Sequence, residues 1–179
     1  MNKEDVLDFW FKELTPKDWY KKDSDLDKRI KNRFLDTYHK ACKGELWQWR
    51  ETVEGRLAEI IVLDQFSRNM FRDQAQAFQY DYLAVALSQE ACLQPKLHEL
   101  EVSRRAFVFM PLMHSESQIV HELAVKMFSA VGLENSLNFE LKHKKIIDRF
   151  GRYPHRNDIL KRKSTDEEIE FLKAPDSSF

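Results

Sequence analysis

The chain has 179 residues, enough for one domain with a substantial core, and 42% of them are hydrophobic with Phe the commonest aromatic. Lys+Arg 29 against Asp+Glu 30 leaves a net charge of -1, so no basic surplus exists to drive non-specific binding to nucleic acid or anionic lipid. Cys42 and Cys92 are isolated, which excludes a zinc ribbon or a redox CxxC pair and reads as two buried thiols in a reducing cytosol.

"MNKEDVLDFWFKEL" opens with acids ahead of a short amphipathic run, unlike a signal peptide, and no apolar run approaches the ~18 residues of a membrane span. A soluble, cytoplasmic protein without a membrane partner is expected.

Helical periodicity dominates the chain, which holds only Gly 4 and Pro 5. Val6, Leu7, Trp10, Phe11 and Leu14 mark the first helix, which Pro16 should end. A second should start at Ser24, with Asp27 completing a capping box, carry Leu26, Ile30, Phe34 and Tyr38, and stop near Gly44. The third is expected over about Val53 to Phe71, the fourth over Ala75 to Cys92 and the fifth over Glu101 to Met110, where Pro111 should break it. Ser115 and Gln118 fit a capping box for a sixth helix ending near Gly132, and Asn138 fits the cap of a seventh that Gly151 closes. Thr165 and Glu168 fit the box of a last short helix, with a frayed tail from about residue 174. The whole predicts one all-α domain over 1–179, about eight or nine helices stacked as antiparallel hairpins.

Polar residues that interrupt apolar faces mark the candidate site. Asp64 and Arg68 fall within about 20° of the direction of Leu57, in the middle of the stripe formed with Ile60 and Ile61. Gln65 and Asn69 repeat the i, i+4 spacing. Buried charge must be paired, so Asp64 and Arg68 form either an internal ion pair or part of a polar cavity. Glu116 lies on the apolar face of the sixth helix, directly after His114 and Ser115. His143 shares a face with Phe139, Ile146, Ile147 and Phe150, where a lone histidine is more often a core residue. "IIDRFGRYPHRN" gathers Arg149, Arg152, His155, Arg156 and Asn157 about one helix end, either as a tied-down cap or as an anion site.

Familiar chemistry is mostly absent. "HELAV" lacks the second histidine of a zincin, "HSE" lacks the P-C-x-x-C of a zinc deaminase, and no Walker, GxGxxG or GxSxG motif occurs. No metal and no cofactor is implied.

"VLDFWF", "LDQFSRN", "MPLMHSE" and "RFGRYPHRNDIL" followed by "STDEEIEFL" together resemble the bacterial family called domain of unknown function 924, in the family's order and over nearly the whole chain. The resemblance implies a tetratricopeptide-repeat-like helical fold, although no 34-residue repeat stands out, and it supplies no activity. Three positions depart from the family's habit: Ser67 replaces a proline, Tyr153 a phenylalanine and Lys161 a glycine. The family's signature residues coincide with the polar anomalies above.

Two functions compete. In the first, the third, sixth and seventh helices converge on a pocket for a small anionic metabolite. Arg68, Arg152 and Arg156 would hold the anion, with Asp64 or Glu116 as general base and His114 or His155 as proton shuttle. Gln65, Asn69, Ser115, His143, Arg149 and Asn157 would line it. In the second, the helices form a scaffold for a protein or peptide partner. Nucleic acid, suggested only by "KHKK" and "LKRK", is not an expected partner because those runs read as solvated faces.

Overall fold

The computed structural model describes residues 1–175 and 177, and among these no strand occurs. A capping box between Asn2 and Asp5 starts α1, Lys3–Asp8, which runs on through a π-helical turn at Phe9–Glu13. Pro16 then opens α2, Pro16–Trp19, at a position where its missing N–H costs nothing.

Helix α3, Ser24–Cys42, starts where expected, but Asp23 caps it by accepting from the amides of Asp25 and Leu26. Asp27 is thereby released to bind Asn69 and Arg72.

The expected third helix is helical from Val53 to Met70 in three pieces: α4, Val53–Ile60, a π-helical segment Ile61–Phe66, and α5, Ser67–Met70. Gly55 is required near its start, because a Cβ there would lie 1.8 Å from the Trp49 carbonyl oxygen.

The expected fourth helix is split. A 3-10 turn Ala75–Phe78 precedes α6, Asp81–Cys92, which puts Asp81 in a first turn instead of mid-helix. Pro111 breaks nothing: α7 runs Val102–His114 straight through it. An interior proline costs about 3 kcal/mol, whereas every residue from Ala106 to Met113 is buried, each large one contributing about 1.5–3 kcal/mol. Burial wins.

Helix α8 is Gln118–Phe128 and α9 is Glu134–Phe150. Ser115 and Gln118 form no capping box; Ser115 Oγ accepts from the Ser117 amide, and Gln118 reaches the Asp148 carbonyl. Asn138 lies inside α9, whose start is covered by Glu134 accepting from the Gly132 amide. Gly151 ends α9 in the left-handed region at φ 67. The Thr165–Glu168 box opens α10, Asp166–Phe171, as expected. The frayed tail falls partly on residues 176, 178 and 179, outside the described residues; Ser177 donates to the Leu172 carbonyl.

Helices α6, α7, α8 and α9 pack as successive antiparallel neighbours, and α3 lies antiparallel to the α4–α5 segment. Phe9, Trp10, Phe34, Phe66 and Phe107 form the aromatic centre, with Phe34 and Phe66 at 4.6 Å and Trp10 and Phe107 at 5.5 Å. Trp10 is core while Trp47 is 60% exposed. Cys42 and Cys92 are free but only half-buried, and burial pushes the Cys92 thiol up to about 11.

Candidate functional site

Asp64 sits in the π-helical turn, a geometry that widens the helix and is frequent at functional sites. Its side chain is inaccessible, with Oδ1 2.8 Å from His114 Nδ1 and 3.0 Å from Arg68 Nη1, while Gln65 Nε2 donates to Oδ2. Burial alone would raise this acid, but the Arg68 guanidinium and His114 outweigh it and hold the carboxyl well below the usual range. His114 is pushed down, by burial and then by Arg68, against the pull of Asp64. The pair is therefore an Asp64 carboxylate and a neutral imidazole. A carboxylate at Nδ1 places the ring proton there and leaves the basic lone pair on Nε2.

Asp81, which the sequence reading did not single out, joins the network from the start of α6. Arg68 donates to it through both terminal nitrogens, at 3.1 and 3.0 Å, and also to the Asp64 carbonyl at 2.7 Å. Arg156 reaches the same carboxylate at only 3.4 Å and donates to the His114 carbonyl at 3.1 Å. Its guanidinium lies between the rings of Phe78 and Tyr153, 4.6 and 4.5 Å from their centroids, and its Nε is buried without a partner. Two arginines and two aspartates balance in charge, but Arg156 is the member with hydrogen-bonding capacity unused.

An open cleft of about 380 Å³ lies over this network, lined by Phe78, Asp81, His114, Ser115, Glu116 and Arg156, with Tyr82, Val85 and Leu160 as its apolar side. Glu116 forms a cleft wall and an ion pair at once: Arg162 Nη1 and Nη2 donate to its two oxygens at 2.6 and 2.9 Å, and the Tyr153 amide donates at 2.8 Å. Burial would raise Glu116, yet Arg162 and the Tyr153 amide bring it below its ordinary value.

The remaining sequence candidates divide clearly. Gln65 supports Asp64, whereas Asn69 faces the other way and donates to Asp27. Asn157 is buried and holds Ser164 and Arg162. Arg149 and Arg152 stand outside the cleft, paired with Glu167 and Glu168 of α10. His143 is buried beside Tyr153, donates to the Phe139 carbonyl, and is held down to about 3 by burial. His155 packs on Tyr153 and is brought to about 4 by burial and Arg156; neither lines the cleft. Behind Tyr153, whose hydroxyl donates to the Met113 carbonyl, His121 and Glu140 form a fully buried pair at 2.6 Å. Among the described residues, no three His, Cys, Asp or Glu side chains are placed to hold a metal ion.

The model of the family described as bacterial protein of unknown function (DUF924) matches residues 6–176. The chain belongs to the DUF924 family. It is also similar to a solved structure, a protein of unknown function (ATU0120) from Agrobacterium tumefaciens, at 35% identity and a TM-score of 0.91 over 96% of each chain. No curated protein shows a significant match. Two departures from the DUF924 pattern noted above have structural counterparts: Lys161 takes the left-handed backbone, at φ 55, where glycine is usual, and Tyr153 adds a hydroxyl bond that phenylalanine lacks. Among the described residues no helix is long and apolar enough to cross a membrane.

Proposed function

We propose that the cleft binds a small anionic molecule and that His114, oriented by Asp64, accepts a proton from it. The observation that carries this reading is the 2.8 Å contact between His114 Nδ1 and the buried Asp64 carboxylate, on a wall shared with Arg156. A neutral imidazole whose Nδ1 is fixed by a carboxylate is the arrangement of a general base. Arg156 supplies the anion contact, since its Nε is unpaired and its contact to Asp81 is long. The partner is a metabolite-sized carboxylate or phosphate, matching the volume of the cleft.

Calorimetric titration with inorganic phosphate and with malonate tests the reading, alongside NMR of the His114 ring. Binding should shift the His114 resonances, and Arg156→Gln should weaken it at least tenfold with the circular dichroism spectrum unchanged. Equal binding by Arg156→Gln, or no movement of His114, would remove the cleft from consideration. The tetratricopeptide-like scaffold implied by the family resemblance is the second reading. The exposed Tyr82 at the rim favours it, but the cleft is small for a peptide.

A further inference from the structure

A second cleft of about 400 Å³ lies at the opposite end of α7, between the 3-10 turn Pro95–Glu99 and the last turn of α8. Arg105 and His114 are nine positions apart, about 13 Å along the helix, so the two clefts share α7 without sharing a wall. Arg105 and Phe109 enter it from α7, one turn apart, and Lys126, Met127, Ser129 and Ala130 close the other side.

Its chemistry is one-sided. Arg105, Lys126 and His98 line it, and no Asp or Glu does. Arg105 Nε is buried with no hydrogen-bond partner, and among the described residues neither Arg105 nor Lys126 forms an ion pair. A buried guanidinium nitrogen left unpaired carries an uncompensated desolvation penalty, and such groups call for a specific explanation. Beside these cations Leu97, Phe109 and Met127 supply apolar wall. Cationic donors next to a continuous apolar surface match a ligand with an anionic head and a short hydrocarbon body, and the volume suits one molecule of that size.

We propose that this cleft binds a small monocarboxylate with an apolar tail, its carboxylate held by Arg105 and Lys126 and its tail on Phe109, Leu97 and Met127. Three probes separate head from tail: hexanoate, acetate as the head alone, and hexan-1-ol as a tail without charge. In a titration of the full chain followed by amide NMR, hexanoate should move the signals of Arg105, Phe109 and Lys126. It should bind at least ten times tighter than acetate or hexan-1-ol. Arg105→Gln and Lys126→Gln should each weaken hexanoate at least fivefold, and Arg156→Gln should leave it unchanged. Lys126 is exposed, so its variant tests the proposal even if the Arg105 variant is poorly folded. Equal affinity for hexanoate and hexan-1-ol would overturn the proposal, as would wild-type hexanoate binding in Lys126→Gln or shifts confined to the cleft at Arg156.

Discussion

Arg162 and Glu116 meet through two contacts of 2.6 and 2.9 Å although 46 residues separate them in the chain. The same guanidinium also binds the Tyr153 carbonyl and Asn157, so the loop after α9 is fastened across the turn between α7 and α8. Both side chains are about a quarter exposed, which places their coupling between that of a surface pair and that of a buried one. A double-mutant cycle of Glu116→Gln and Arg162→Gln, read by urea unfolding, should give a coupling of about 1–2 kcal/mol that shrinks in 1 M salt. Additive effects would show that the pair contributes nothing.

Asp64→Asn keeps the shape of the buried network and removes its central charge. Arg68 retains Asp81 as a counter-ion, so the loss should sit near the lower end of that for a broken buried pair, about 3 kcal/mol by chemical denaturation. Because the Asp64 carboxyl is depressed in the folded state, its contribution is complete above the ordinary aspartate value and fades as pH falls below it. The wild type should therefore lose stability below about pH 4 more steeply than Asp64→Asn. Parallel profiles would mean that the carboxylate gains nothing from its partners.

His143 and His155 are held down to about 3 and about 4 by burial. The unfolded chain takes up protons on both below about pH 6.5 while the native protein does not, so stability should fall as pH drops from about 6.5 toward 4. Each histidine contributes about 1.4 kcal/mol per pH unit in that window. In His155→Asn the slope should be smaller by about one proton, measurable by urea unfolding at pH 4.5, 5.5 and 6.5. An unchanged slope would show that His155 titrates normally in the fold.

Lys161 occupies the left-handed region at φ 55 and Gly151 does so at φ 67. The same backbone geometry thus carries a side chain in one place and none in the other. Lys161→Gly should relieve about 1 kcal/mol of local strain, partly offset by the flexibility gained in the unfolded chain. Gly151→Ala has open space for its Cβ yet should lose about 1 kcal/mol from backbone strain alone. Thermal unfolding would show the two substitutions moving Tm in opposite directions.

Helical periodicity points to Asp64 and Arg68 because charge inside an apolar stripe is costly enough to stand out, whereas Glu116, expected on the apolar face of the sixth helix, lies in the turn before α8 and meets the cleft from there, beside His114. It failed where the helix was not regular. The π turn over Ile61–Phe66 alters the rotation per residue, so Gln65 and Asn69, neighbours on an ideal wheel, have unrelated partners. Asp81 is inconspicuous inside a stretch that reads as one continuous helix; only the break after Phe78 brings it to the front of α6. Arg162 sits in a basic run that reads as a solvated face, yet its guanidinium holds Glu116. Density along the sequence misled in the opposite sense for Arg149 and Arg152, whose charges belong to α10. Local patterns reveal that a charge needs a partner, while the choice of partner depends on contacts between distant segments.

Arg156 and Leu160, which complete the first cleft, come from the final fifth of the sequence, while its other walls lie between Ala75 and Glu116. On a ribosome, the earlier helices could collapse around their aromatic centre well before this late segment emerges. A nascent chain would thus acquire its packed interior first and the cleft around Arg156 last, and protein released early would be compact yet lack that wall.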